Sequence, residues 1–167
     1  FLKKRKIKFF SMYGQTEASP RMSYLLIKDD ESKIGSIGKP IQGGNFKIFG
    51  NNNKIIKKDH TIGELVYQGK NVMLGYAETI KDLTKSKKIK YLFTGDLAYF
   101  DKKGFYFIVG RKNRLIKIHG IRYNLDDIEK ELNFSGFPSA VREKDEKLNI
   151  FITKKNNHIE NNLNSFL

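Results

Sequence analysis

The chain alternates short apolar runs with polar, glycine-bearing islands. Residues 7–12 read as a buried strand ending at Tyr13-Gly14, and 23–27 as a second strand after a polar loop over 15–21. A charged turn covers 28–33, and Gly35, Gly38, Pro40, Gly43 and Gly44 mark a winding loop. Residues 46–49 and 54–56 predict a hairpin around Gly50-Asn51-Asn52-Asn53, followed by a strand over 62–67. Gly69 and Gly75 bracket Val72-Met73-Leu74, and the charged stretch 78–88 suits a short surface helix. Residues 92–93 and 97–100 flank a Thr94-Gly95-Asp96 loop, and a turn at 101–104 leads into a strand over 105–109. Several short strands with glycine turns predict a small barrel or sandwich.

The pattern changes after Gly110-Arg111. A short strand over 115–118 precedes Gly120-Ile121-Arg122. Asn124 suits a helix N-cap, with Asp127 as the reciprocal acid. Leu125, Ile128 and Leu132 then recur at helical spacing and predict a helix over 124–134, whose acidic first turn complements the helix dipole. Strands over 138–142 and 148–153 follow. The change of pattern puts a domain boundary near Lys112 or Asn113.

A length of 167 residues suits one modest core or two small ones. Hydrophobic residues at 39% and charged residues at 30% exclude compositional disorder. No stretch approaches the roughly 20 apolar residues that span a bilayer, no secretory leader is legible, and the absence of Cys excludes disulfides and thiolate metal sites. A cytoplasmic protein is expected. The formal charge of +14 raises nucleic acid as a partner. The lysines, however, are spread along the chain, apart from Lys3-Lys4-Arg5-Lys6, which argues for a solvated surface and against nucleic acid.

The chemistry concentrates in the islands. Tyr13-Gly14-Gln15-Thr16-Glu17, Thr94-Gly95-Asp96 and Gly110-Arg111 bring carboxylates, hydroxyls and glycines together in a way that folding alone rarely needs. Such groups suit a phosphorylated ligand or a metal. A complete G-x-x-x-x-G-K-[ST] phosphate loop and a G-x-G-x-x-G loop are both absent. His60, His119 and His158 lack metal-ligand spacing, although His119 stands beside Gly120 and Arg122.

Four motifs in order resemble the distal part of the AMP-binding, adenylate-forming enzymes, which include acyl-CoA synthetases and peptide-synthetase adenylation domains. They are Tyr13-Gly14-Gln15-Thr16-Glu17; Gly63-Glu64-Leu65 through Gly69 to Gly75-Tyr76; Thr94-Gly95-Asp96-Leu97; and Gly110-Arg111 through Lys117, Gly120 and Arg122 to Ile128-Glu129. The resemblance implies an α+β fold. Residues 1–111 are expected to be the C-terminal part of the large domain, mostly a small distorted β-barrel. Residues 112–167 are expected to be the hinge and an incomplete α+β small domain.

The resemblance also implies an ATP-dependent carboxylate ligase that forms an acyl-adenylate, releases pyrophosphate and passes the acyl group to a thiol of coenzyme A or phosphopantetheine. ATP and Mg2+ are the expected cofactors. A fatty, aryl or amino acid is the expected substrate, and an acyl or peptidyl carrier protein a possible partner. Thr16 is expected on the α-phosphate, Glu17 on Mg2+, Tyr13 and Gly14 at the nucleotide, and Asp96 and Arg111 on the ribose. Arg122 either approaches phosphate or supports the small domain. Lys117 matches the basic residue of the strand between those arginines, and Gly120 lies where the pantetheine path runs. Glu64 is read as an ion-pair partner, and Gly69 to Tyr76 as largely architectural. Asn113 stands at the pivot, where relatives carry Asp or Lys. Relatives have a phosphate loop upstream and a late catalytic lysine, for which Lys154 and Lys155 come too early, so the chain reads as truncated at both ends and inactive alone. A basic nucleic-acid-binding module and a non-catalytic descendant of the family are the competing readings.

Overall fold

The computed structural model describes residues 8–27, 31–84, 89–118, 120–145 and 147–152, with the side chains of Glu31 and Arg122 left out. The basic cluster at 3–6, His119, His158, Lys154 and Lys155 lie outside the described residues. The chain divides into two compact units, Phe1–Lys112 and Asn113–Leu167.

Among its described residues the first unit is built on eight strands: β1 (Phe9–Tyr13), β2 (Ser23–Ile27), β3 (Ser36–Pro40), β4 (Asn45–Phe49), β5 (Ile55–Ile56), β6 (Gly63–Gln68), β7 (Leu92–Phe100) and β8 (Tyr106–Arg111). They form one antiparallel sheet in the order β1-β2-β3-β8-β7-β6-β4-β5. This corrects the expected barrel. A barrel needs an unbroken ring of strand pairing with a consistent stagger, and here β1 and the two-residue β5 are open edges. Short strands and glycine turns are common to open and closed sheets, and only the pairing of distant edges separates them.

Other expectations are refined. The winding loop contains β3, whose Gly38 lies against β2: a Cβ there would collide with the Tyr24 carbonyl. Of the helix expected over 78–88, residues 80–84 form a short 3-10 turn with no buried residue, and 85–88 lie outside the described residues. Thr94-Gly95-Asp96 lies inside β7 instead of in a loop. Along that strand Leu92, Thr94, Asp96 and Ala98 are buried in alternation. A bulge between Leu97 and Ala98 re-aims the strand.

Ala18, Met22, Phe46, Ile48, Leu65, Tyr67 and Ala98 form the core of this unit. Phe46 is its hub, meeting Tyr13, Tyr67 and Tyr106 edge-on at centroid distances of 6.2, 5.4 and 5.0 Å. Burial raises the ionisation of Tyr67 and Tyr106 above the usual phenol value.

Among its described residues the second unit holds two antiparallel hairpins, β9 (Leu115–Ile118) with β10 (Ile121–Asn124) and β11 (Ser139–Lys144) with β12 (Lys147–Ile152), and one helix, α1 (Leu125–Phe134). β10 was not legible in the sequence, because it is four residues long and runs straight into the helix cap. Asn124 caps α1 by accepting the Asp126 N–H at 3.1 Å. Asp127 pairs with Lys130 at 3.5 Å. Leu125, Leu132 and Val141 are the buried core, with Ile128, Phe137, Leu148 and Ile150 packed around it.

Candidate functional site

The loop after β1 carries Thr16 and Glu17 and is anchored from below. Ala18 and Met22 are fully buried. The Met22 N–H donates to the Tyr13 carbonyl at 2.8 Å and so closes the loop at its base. Asn71 Nδ2 donates to the Arg21 carbonyl at 3.0 Å and the Ala18 carbonyl at 3.4 Å, while Asn71 Oδ1 accepts the Tyr67 hydroxyl at 2.9 Å. The Met73 N–H donates to the Glu17 carbonyl at 2.8 Å. Apolar anchors and the 69–76 segment therefore fix the backbone, leaving Thr16 exposed and Glu17 half-buried.

Strand register supplies the other half of the site. Asp96 on β7 is directly opposite Arg111 on β8, and Arg111 Nε donates to Asp96 Oδ1 at 2.8 Å. Asp96 is only 3% exposed. The Tyr13 hydroxyl donates to Asp96 Oδ2, and Gln15 Nε2 reaches the same oxygen at 3.4 Å and the Thr94 carbonyl at 2.8 Å. Thr94 Oγ1 donates to the Leu65 carbonyl at 2.8 Å and accepts the Asp96 N–H at 3.1 Å. A buried carboxylate needs such partners to stay charged. Burial, then the bond to Asp96, raises the ionisation of Tyr13 well above the usual phenol range, so it remains a donor.

A cleft of about 510 Å³ opens over this arrangement, lined by Gly14, Thr16, Glu17, Tyr76, Thr94 and Arg111 among others. A second hollow of about 560 Å³ shares Gly14, Gln15 and Thr16 and extends to Met12 and Arg21. The Tyr76 hydroxyl donates to Glu17 Oε1, which holds the Glu17 carboxyl below its usual range; the Tyr76 phenol is raised in turn, chiefly by that same bond. Among the described residues no three His, Cys, Asp or Glu side chains cluster as a metal site.

Six of the residues singled out in the sequence, Tyr13, Gly14, Thr16, Glu17, Asp96 and Arg111, thus meet in the first unit. Lys117, Gly120 and Arg122 belong to the β9–β10 hairpin of the second, where Lys117 and Arg122 are cross-strand neighbours. Glu64 pairs with Lys112 at 2.6 Å. Gln15 and Thr94 stand inside the motifs without an assigned role, and Tyr76 was read as architectural. Their donor and acceptor groups were visible, yet their partners are 59 to 81 positions away for Tyr76 and Gln15 and 29 for Thr94. In the second unit Arg114 reaches Asp126 on α1, Glu129 at 2.6 Å and the Val141 carbonyl at 3.4 Å. Its ionisation is raised, first by the bond to Glu129, so it is a fixed cation.

The architecture is that of an α+β protein with a polar cleft on an open antiparallel sheet. A profile of AMP-binding enzymes matches residues 1–77. The 2-succinylbenzoate–CoA ligase of Oceanobacillus iheyensis is 36% identical over 133 residues, covering 78% of this chain and 26% of the relative. The long-chain-fatty-acid–CoA ligase of Escherichia coli O157:H7 is 32% identical over 152 residues, covering 86% and 26%. The O-succinylbenzoate coenzyme A synthetase of Bacillus subtilis, in complex with ATP and magnesium ion, has the same fold: the TM-score is 0.70 at 23% identity, over 99% of this chain and 36% of that one. The chain belongs to the AMP-binding, adenylate-forming ligase superfamily. It spans about a quarter of the length of the curated relatives it matches, 26% for the first.

Proposed function

We propose that this chain is the distal part of an ATP-dependent carboxylate ligase. The observation that carries the reading is the convergence of Tyr13, Gln15 and Arg111 on buried Asp96, beside a cleft that also presents Thr16 and Glu17. Residues 1–111 are assigned to the C-terminal part of the large domain and 112–167 to the hinge and small domain. In the reaction a carboxylate oxygen of the acid attacks the α-phosphorus of ATP, the bond to the bridging oxygen breaks, and pyrophosphate leaves. A thiolate then attacks the acyl carbonyl and AMP departs. The curated relatives are CoA ligases, which favours coenzyme A over a carrier-bound pantetheine.

Each residue has a physical task. Asp96, fixed by Tyr13, accepts from the ribose hydroxyls, and Arg111 offers its fork to oxygens of the same sugar. The Thr16 hydroxyl donates to the α-phosphate, where negative charge grows. Tyr13 and Gly14 bound the nucleotide. Glu17 suits Mg2+: a carboxylate has about four acceptor sites, so capacity remains beside the bond from Tyr76. A lone carboxylate fits a cation that takes its other ligands from phosphate and water. When bound, Mg2+ neutralises phosphate charge and orients the polyphosphate. Lys117 and Arg122 are register partners on one hairpin, with Gly120 in its turn; the two cationic residues suit phosphate and the glycine suits the pantetheine path.

Carboxylate-dependent exchange of labelled pyrophosphate into ATP tests the reading in the complete protein, with fatty, aryl and amino acids and Mg2+. Exchange with one acid class is the expected result. A folded complete protein that exchanges with none, and binds RNA with steep salt dependence, would overturn it.

A further inference from the structure

Tyr76 is unusual for a large aromatic. It is 74% exposed, so packing does not explain its place. Gly75, immediately before it, has φ +141°, a conformation that side chains disfavour, although a Cβ there would meet no atom within 4 Å. The glycine is therefore required by the backbone path and not by space. That path brings the Tyr76 hydroxyl onto Glu17 Oε1. The same segment also touches Glu17 through its backbone, the Met73 N–H donating to the Glu17 carbonyl at 2.8 Å. The 69–76 segment thus holds Glu17 at two points, and all three residues line one cleft.

Resting on the reading of Glu17 as the carboxylate that meets the divalent cation, we infer that Tyr76 is a positioning residue for it. Without a partner, a glutamate side chain on a loop samples several rotamers and its carboxylate rotates freely. The phenol fixes one oxygen and leaves acceptor capacity for a cation on the rest of the group. A hydrogen bond behind a metal ligand orients it, and losing such a partner weakens metal affinity by about 10- to 100-fold. Tyr76 does not touch the reacting atoms.

Tyr76→Phe keeps the exposed ring and deletes only the hydroxyl. Binding of Mn2+, followed by loss of the free-ion EPR signal, is measured on the complete protein with a non-hydrolysable ATP analogue, for wild type, Tyr76→Phe and Glu17→Gln. The expected result is an affinity about 10-fold or more weaker in Tyr76→Phe, weaker still in Glu17→Gln, with unchanged thermal unfolding. Normal affinity in Tyr76→Phe with weakened affinity in Glu17→Gln overturns the role of Tyr76. Normal affinity in both overturns the reading of Glu17 as the ligand, and the inference with it.

Discussion

Arg111 and Arg114 are close in sequence and belong to different units. The Arg111 side chain is 55% exposed and leans on the buried side chain of Asp96. Arg114 is 28% exposed and bonds two carboxylates and a backbone carbonyl, joining α1 to β11. The first arginine lines the rim of a cleft. The second is turned onto Asp126, Glu129 and the Val141 carbonyl, although its buried Nη2 lacks an aligned hydrogen bond. The difference teaches that an ion pair is read by the surroundings of its arginine. Arg114 ties the helix to the strand beside it, while Arg111 carries the Asp96 pair to the edge of a cleft.

The contrast is broken most sharply in the second core. Among the described residues Leu132 shares a small buried cluster with Leu125 and Val141, so Leu132→Ala is expected to cost about 2–5 kcal/mol. Hydrogen exchange should show protection lost across α1, β11 and β12 while β6 and β7 keep theirs. Equal loss in both units would show that they unfold as one. Asp96→Ala acts the other way round. Two charge-assisted bonds of about 1.5–3 kcal/mol each disappear, so ATP affinity should fall by about 100-fold or more. The stability cost should stay near 1–3 kcal/mol: the freed Arg111 is already largely in water, but the buried Tyr13 hydroxyl loses its acceptor. Calorimetric titration and thermal unfolding of the complete protein separate the two effects.

Arg114→Ala is expected to cost about 1–3 kcal/mol of stability and to leave ATP affinity within twofold. A large loss of affinity would erase the distinction between the arginines. The smallest effect concerns a second buried acid of the first unit, Asp101. Burial raises its ionisation, but Lys33 at 2.5 Å and the backbone N–H groups of Phe105 and Lys103, each at 2.9 Å, outweigh it and leave the net shift downward. A depressed carboxyl contributes stability above its unfolded value near 4 and loses it as the pH falls through the folded value. Unfolding between about pH 5 and 2 should therefore be less pH-dependent in Asp101→Asn than in wild type. An identical acid limb would show that folding leaves the Asp101 carboxyl unshifted.

Local patterns carried much of the fold. The apolar runs of β4 and β6, the spacing of Leu125, Ile128 and Leu132, and the Asn124 cap are all properties of neighbouring residues. The cleft was partly legible because Tyr13, Thr16, Glu17, Asp96 and Arg111 lie in recognisable motifs. Tyr76 was read as architectural because nothing near it in sequence calls for a hydroxyl; its partner Glu17 is 59 positions away. The β7 segment was mistaken for a loop because Thr94 and Asp96 are polar where a strand's buried face is usually apolar. Their partners, the Leu65 carbonyl, Tyr13 and Arg111, make those polar positions stable inside it.

By itself the amino-acid order determined most of the segments that extend (though not β3, β10 or the middle of β7), where α1 starts, and where polar side chains gather in motifs. These follow from torsional preference, hydrophobic periodicity and capping, all short-range. Tertiary structure alone decided that the sheet stays open, that Asp96 faces Arg111 across a strand pair, and that Tyr76 reaches Glu17. Those outcomes depend on which distant edges and loops meet, and the free energy that selects them comes from burying Phe46, Tyr67 and their neighbours together.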